Sequence, residues 1–265
     1  SLTVTGGGNA YDGQIGIGSS ALAALTSGIG NVAVGYQAMD ANQTSDYNTA
    51  VGTSALGALT NDGDTGNTAV GYNAGAAVTS GVNNTLIGTV VGDGFDAERD
   101  NTFVGYASGT GAINGADYCV AIGSSSFQGA ATQDGTVAIG YQSLTALTTG
   151  AGNTAVGYQA LKACTDNSYN TAVGYAAADA IPSGALANTA VGYDALGAGN
   201  NATTDNNTCF GFEAGNVITS GSQNTIIGST TDPSANTGTN QTVIGYNTTG
   251  QGDDTVTLGN ASVIN

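Results

Sequence analysis

Among the side chains of this sequence that could act chemically, the carboxylates come first. Asp62 and Asp64, then Asp93, Asp96, Glu98 and Asp100, then Asp253 and Asp254 stand close together along the chain. Paired carboxylates could serve as acid and base on a glycosidic bond, and a denser group could hold Ca2+ through oxygen ligands. The stretch 92–100, G-D-G-F-D-A-E-R-D, is the most acidic and the best single candidate for a cation. Against both uses, the expectation is that no carboxylates recur at a fixed position from coil to coil, and the repeating Asp column of the calcium-binding nonapeptide β-helix is missing. No His stands ready to support nucleophilic chemistry. The expectation is no catalytic residue and no cofactor, with Ca2+ at 92–100 as the one exception to test.

Two further columns of residues invite a binding role. Tyr36, Tyr72, Tyr106, Tyr141, Tyr158, Tyr175, Tyr193 and Tyr246 follow a recurring Gly and could contact carbohydrate, since an aromatic face beside hydroxyls and amides suits sugar rings. Recurrence along the chain is also what packing demands, so the structural expectation is Tyr capping an apolar edge with its hydroxyl in water. Asn31, Asn48, Asn67, Asn84, Asn101, Asn153, Asn170, Asn188, Asn207 and Asn224 form the other column. Stacked amides favour a hydrogen-bonded ladder that satisfies backbone groups at the turns over a binding array. Cys119, Cys164 and Cys209 are far apart with no C-x-x-C pair, which predicts small apolar fillers rather than a zinc site or a disulfide.

Charge narrows the partners. The net charge is -17 and Arg99 and Lys162 are the only cations, so attraction to nucleic acid or anionic lipid is excluded as a main activity. No run approaches a membrane span, so no membrane insertion is expected. With no opening Met and no signal peptide, the sequence reads as part of something longer. Charged residues make up only 8% and Gly numbers 44, so Asn, Thr, Ser and Gly must solvate the surface of a backbone-dominated structure.

What positions these columns is a repeat. The phrase N-T-A-V-G-Y or a relative places Gly at Gly18, Gly35, Gly52, Gly71, Gly88, Gly105, Gly123, Gly140, Gly157, Gly174, Gly192, Gly211, Gly228, Gly245 and Gly259, mostly 17 to 19 residues apart. Before each Gly stands a large apolar residue such as Val34 or Ile87, and two positions earlier Val or Thr, as in Val32 and Thr68. Alternate residues of a strand share a face, so these two columns are expected to line the coil interior. The intervening column, mostly Ala (Ala33, Ala50, Ala69), is then expected to face outward, an apolar flank needing cover from other chains. After the Gly, a small residue followed by Leu, Met or Gly predicts a second short strand, with the Gly at the bend. The remainder is turn.

A period this short excludes helical repeats and fits an all-β β-solenoid, a parallel β-roll of about fifteen coils of 17–19 residues. The expected organisation is a lead-in segment at 1–13, the solenoid at 14–253, and a terminal coil with a C-terminal junction at 254–265. So small a coil buries little, and packing identical columns of several chains would relieve the deficit; three chains around one axis is the natural arrangement.

The N-T-A-V-G-Y-x-A-L phrase resembles the repeat of trimeric autotransporter adhesin heads, the YadA-like left-handed parallel β-roll. It resembles still more the repeat tracts of tailed-phage tail fibres. The final segment, D-T-V-T-L-G-N-A-S-V-I-N, is similar to the stretch preceding the intramolecular chaperone of endosialidase-type phage fibres. Adhesin heads repeat at a period shorter than 17, so the turns here are longer. The resemblance implies a homotrimeric, extracellular, non-enzymatic structural and adhesive fibre segment of a virion or bacterial cell surface. Its implied partners are itself and a host cell-surface glycan or protein. A bacterial adhesin head is the near alternative. An ice-binding solenoid, with its Thr array expected to be buried, and a polysaccharide-binding or -degrading spike are the further ones.

Overall fold

A strand of only three residues has one side chain on one face and two on the other, and this count governs the whole fold. A computed structural model describes residues 2–5, 13–111, 113, 115–181, 183–198 and 204–262. It is an all-β parallel β-solenoid of about 14 turns of about 17 residues, with no helix among the described residues. Most of the lead-in segment and the last three residues of the C-terminal junction lie outside the described residues.

The chain divides into two units, Ser1–Gly135 and Thr136–Asn265. In the N-terminal unit, strand Leu2–Thr5 runs antiparallel to Gln14–Ile17, and parallel strands then follow once per coil from Val32–Val34 to Val120–Ile122. In the C-terminal unit the same ladder runs from Val137–Ile139 to Val256–Leu258. Within each, equivalent residues pair: Ala33 opposite Ala50, Thr154 opposite Thr171.

The facing of the strands is the reverse of the sequence expectation. Ala33, Ala50, Ala69, Ala138, Ala155, Ala172 and Ala190 are fully buried inside the coils, and so are their larger counterparts Leu86, Phe103, Cys209, Ile226 and Val243. The Thr/Val and Val/Ile columns on either side point outward, in the pattern half-exposed, buried, half-exposed. The physical reason is space. Across the narrow interior from Ala33, Ala50, Ala138, Ala155 and Ala190 lies a Leu or Met four residues after the column Gly (Met39, Leu56, Leu144, Leu161, Leu196), all fully buried. Where the strand residue grows to Leu86, Phe103 or Cys209, that partner shrinks to Gly: a Cβ on Gly92 would lie 2.8 Å from Leu86, one on Gly215 would lie 2.5 Å from the Cys209 Sγ, and one on Gly109 would run into the Phe103 ring. Close packing favours such volume-conserving exchanges.

The second strand is not formed. After the column Gly the chain runs through turns in which, from Gly18 to Gly211, residues two and four places on are left-handed, as at Gln37 (φ 53) and Met39 (φ 50). Their amides bond alternately backward and forward: Gln37 N–H to Ser19 O at 2.9 Å, and Met39 N–H to Ala55 O at 3.0 Å. A left-handed Leu or Met costs roughly 1–2 kcal/mol, offset here by its burial and its inter-coil hydrogen bond. The column Gly is required twice over. Gly52 has φ 140, and a Cβ there would strike the Gly71 carbonyl of the next coil.

The Asn ladder is present as the sequence leads one to expect. Asn48 Nδ2 donates to Asn31 Oδ1 at 3.1 Å, and the Asn48 backbone N–H donates to the same oxygen at 2.9 Å. Asn67, Asn84, Asn170, Asn188, Asn207 and Asn224 repeat both bonds. Because the column is buried, every amide must find partners, and the neighbouring coil supplies them. The column is interrupted at Cys119 and Thr136; the Thr136 hydroxyl is buried and unpartnered.

Candidate functional site

The residues that face water in register are the Tyr column and the outer face of the strands. The position directly after the column Gly differs between the units. In the C-terminal unit Tyr141, Tyr158, Tyr175, Tyr193 and Phe212 occupy consecutive coils and stack, with ring centroids 4.7–5.3 Å apart and planes within 7–22°. One ring per coil at the inter-strand spacing of about 4.8 Å gives this contact directly. In the N-terminal unit the same position alternates: Ser19, Tyr36, Thr53, Tyr72, Thr89, Tyr106, Ser124. Among the described residues no ring lies against Tyr36, Tyr72 or Tyr106, and Tyr106 is 60% exposed where the stacked Tyr158 is 40% exposed. Tyr246 also stands without a stacked ring among the described residues and is exposed. The predicted Tyr column is thus two different surfaces.

The outer strand face carries Thr at Thr49, Thr68, Thr85 and Thr102 in the N-terminal unit and at Thr154, Thr171, Thr189, Thr208, Thr225 and Thr242 in the C-terminal unit. Beside it runs the Val/Ile column, with Ile17 40% and Phe210 56% exposed. Large apolar side chains aligned in register and left half-exposed to exposed are the strongest surface anomaly among the described residues. Reading the strands in the opposite phase hid both columns. The Gly-for-Leu exchanges at Gly92 and Gly109 were the signal that would have exposed them.

The acidic residues are spent on the coil's own turns. Asp46, Asp117, Asp134, Asp205 and Asp253 all stand six residues before a column Gly, so a carboxylate does recur at a fixed position, contrary to expectation. Each accepts a backbone N–H from the coil before it: Ile29 (2.6 Å), Arg99 (2.9 Å), Asp117 (2.9 Å), Leu186 (2.7 Å) and Thr239 (2.8 Å). In the other coils the same place holds residues as varied as Ile29, Thr65, Val82, Ala151, Ser168 and Leu186, which masks the recurrence in the sequence. The Thr239 amide, then Gln241, holds the Asp253 carboxyl below its ordinary range, and the Ser183 hydroxyl and Gly184 amide do so for Asp166.

The stretch 92–100 is similarly occupied. Phe95 is buried in edge-on contact with Phe103 at 4.8 Å. Glu98, also buried, accepts the amides of Asp96 (2.7 Å), Ala97 (3.1 Å) and Gly115 (2.9 Å), and Arg99 pairs with Asp117 at 2.9 Å. Among the described residues no three His, Cys, Asp or Glu side chains come together in a way that could hold a metal ion. The cysteines are buried and unbridged, and burial pushes the Cys164 thiol up to about 12. One carboxyl is anomalous: burial raises Asp232, and its Oδ1 has no partner.

Against protein-family models, curated proteins and solved structures, the chain matches none. The class of the protein is therefore defined by its geometry: a parallel β-solenoid repeat.

Proposed function

We propose that this chain is a structural and adhesive segment of an extracellular fibre, formed by copies of itself packed through the outer strand faces. The observation that carries the reading is the Val/Ile column on the outward face, running in register through each unit. The expected interchain surface was the Ala column; the outward column is instead composed of larger side chains, and burying each against a partner would contribute about 1–2 kcal/mol. The resemblance of the N-T-A-V-G-Y repeat to tailed-phage tail fibres and adhesin heads supports three chains rather than two, and a virion over a bacterial surface. Such an assembly works mechanically, presenting repeated weak contacts whose avidity comes from number.

Sedimentation equilibrium on the whole chain tests this. The expected mass is that of three chains, and Val156→Asp with Val173→Asp should reduce it to one. A single-chain mass across the concentration range would remove the assembly.

One observation favours a second reading. The Thr column, expected to be buried, faces outward with one hydroxyl per coil, as an ice-binding surface requires. Thermal hysteresis measured on the same sample decides it: freezing-point depression without melting-point change supports ice binding, and its absence removes that rival.

A further inference from the structure

Tyr alternates with Ser or Thr through the whole N-terminal unit, whereas in the C-terminal unit the same gap occurs once, at Phe212, Ser229 and Tyr246, beyond the closed stack. From Tyr141 to Phe212 the rings form one stack, and both faces of Tyr158, Tyr175 and Tyr193 are covered by their neighbours. With every second ring replaced by a hydroxyl residue, successive rings stand two coils apart, about 9.6 Å. A guest ring midway would lie about 4.8 Å from each, within the 4.7–5.3 Å spacing that the C-terminal ladder itself adopts. The greater exposure of Tyr36, Tyr72 and Tyr106 agrees with faces left open.

We infer that these gaps are sugar-binding slots: the N-terminal unit takes pyranose rings between Tyr36 and Tyr72 and between Tyr72 and Tyr106, over the hydroxyls of Thr53 and Thr89. The floor chooses sugar over a flat apolar guest. Thr53 and Thr89 make no side-chain hydrogen bond within the described protein, nor do the amides of Gln37 and Asn73 that follow two of the tyrosines. Unpaired donors and acceptors between aromatic faces are what the apolar faces and hydroxyl rims of a sugar ring require. The net charge of -17 repels polyanions, so the glycan is neutral or carries amino groups. The two slots recur at one spacing, so each contact can be weak while a chain spanning both is held by avidity.

The inference rests on the adhesive part of the proposed function, for which it names the ligand class. It is tested on the full chain by titrating maltohexaose, cellohexaose and chitosan hexamer, following tyrosine fluorescence and NMR line broadening, with sedimentation equilibrium run in parallel. At least one of these glycans should bind. Thr53→Tyr with Thr89→Tyr, which fills the slots at a backbone position that already accepts Tyr, should weaken it about tenfold or more while leaving the fold intact. Tyr158→Ala in the closed ladder should leave binding unchanged. The inference is overturned if none of the three glycans binds at millimolar concentration, if the filled variant binds as well as the parent, or if filling the slots changes the sedimented mass. That last result would make the slots an interface between copies, whereas failure of the fibre reading alone would leave a glycan-binding single chain.

Discussion

The N-terminal and C-terminal units share a backbone, an Asn ladder and a Gly column, yet differ at the one position after that Gly. In the C-terminal unit five aromatic rings close on one another, while in the N-terminal unit Tyr and hydroxyl residues take turns. The interior differs as well. Unit 1 exchanges the usual small strand residue for Leu86 and Phe103, opposite Gly92 and Gly109, and gathers Phe95, Phe103 and Phe127 into an edge-on cluster. Unit 2 has Ala opposite Leu at Ala138, Ala155 and Ala190, and its larger strand residues Cys209, Ile226 and Val243 bring no aromatic cluster among the described residues. The repeat thus constrains the backbone closely and leaves the outward position after the Gly free to vary.

If the backbone is what the units share, breaking it should be equally severe in both. Gly71→Val and Gly174→Val each place a side chain on the carbonyl of the next coil, and each should abolish the cooperative melt of its unit in circular dichroism. The interior exchange should break differently. Phe103→Ala leaves a cavity costing about 3–5 kcal/mol, and adding Gly109→Leu should recover much of it, a non-additivity readable by denaturant titration. Leu at that position is already left-handed at Leu56 and Leu161, so the backbone accepts it.

The Asn ladder sharpens the point at intermediate size. Asn84→Ala and Asn188→Ala each strand the backbone N–H of the next coil, and should cost about 2–3 kcal/mol in either unit. Conversely, Thr136→Asn supplies the missing acceptor below Asn153 and should stabilise the C-terminal unit by about 1 kcal/mol in thermal melts. On the outside, Tyr175→Thr breaks two stacks and should cost about 1–2 kcal/mol, whereas Thr89→Tyr should stabilise the N-terminal unit by closing its gap.

The smallest effect is a pH dependence. Burial raises the Asp232 carboxyl, so the folded state binds its proton more readily than the unfolded chain does, and this residue opposes folding at neutral pH. Asp232→Asn should therefore raise the melting midpoint at pH 7, with the advantage vanishing as pH falls through the raised value. Asp166 and Asp253 act in the opposite sense, being held low by Ser183 and by the Thr239 amide respectively. Their contribution is complete above the ordinary carboxylate range and is lost as pH falls through their lowered values, so Asp166→Asn should narrow the acid-side decline.

Much of this was legible before any coordinates. The spacing of Gly18 to Gly259 set the coil length, and the positions of Asn31 to Asn224 announced a buried amide ladder, because stacked identical residues must satisfy one another. The candidate site was legible only as a column of Tyr positions. Its division into a closed ladder and an open comb needed the ring geometry.

Period and register belong to the sequence, since a recurring residue type reports its own spacing. Facing and the local backbone conformation belong to the tertiary structure. A period of two is silent about phase when both strand faces are apolar, and only the width of the interior, which admits Ala33 opposite Met39 or Phe103 opposite Gly109, sends the Val/Ile column outward. The left-handed residues after each Gly were equally hidden, because Met39 and Leu56 adopt a conformation their side chains disfavour. They are held there by the hydrogen bonds and packing of the coils on either side.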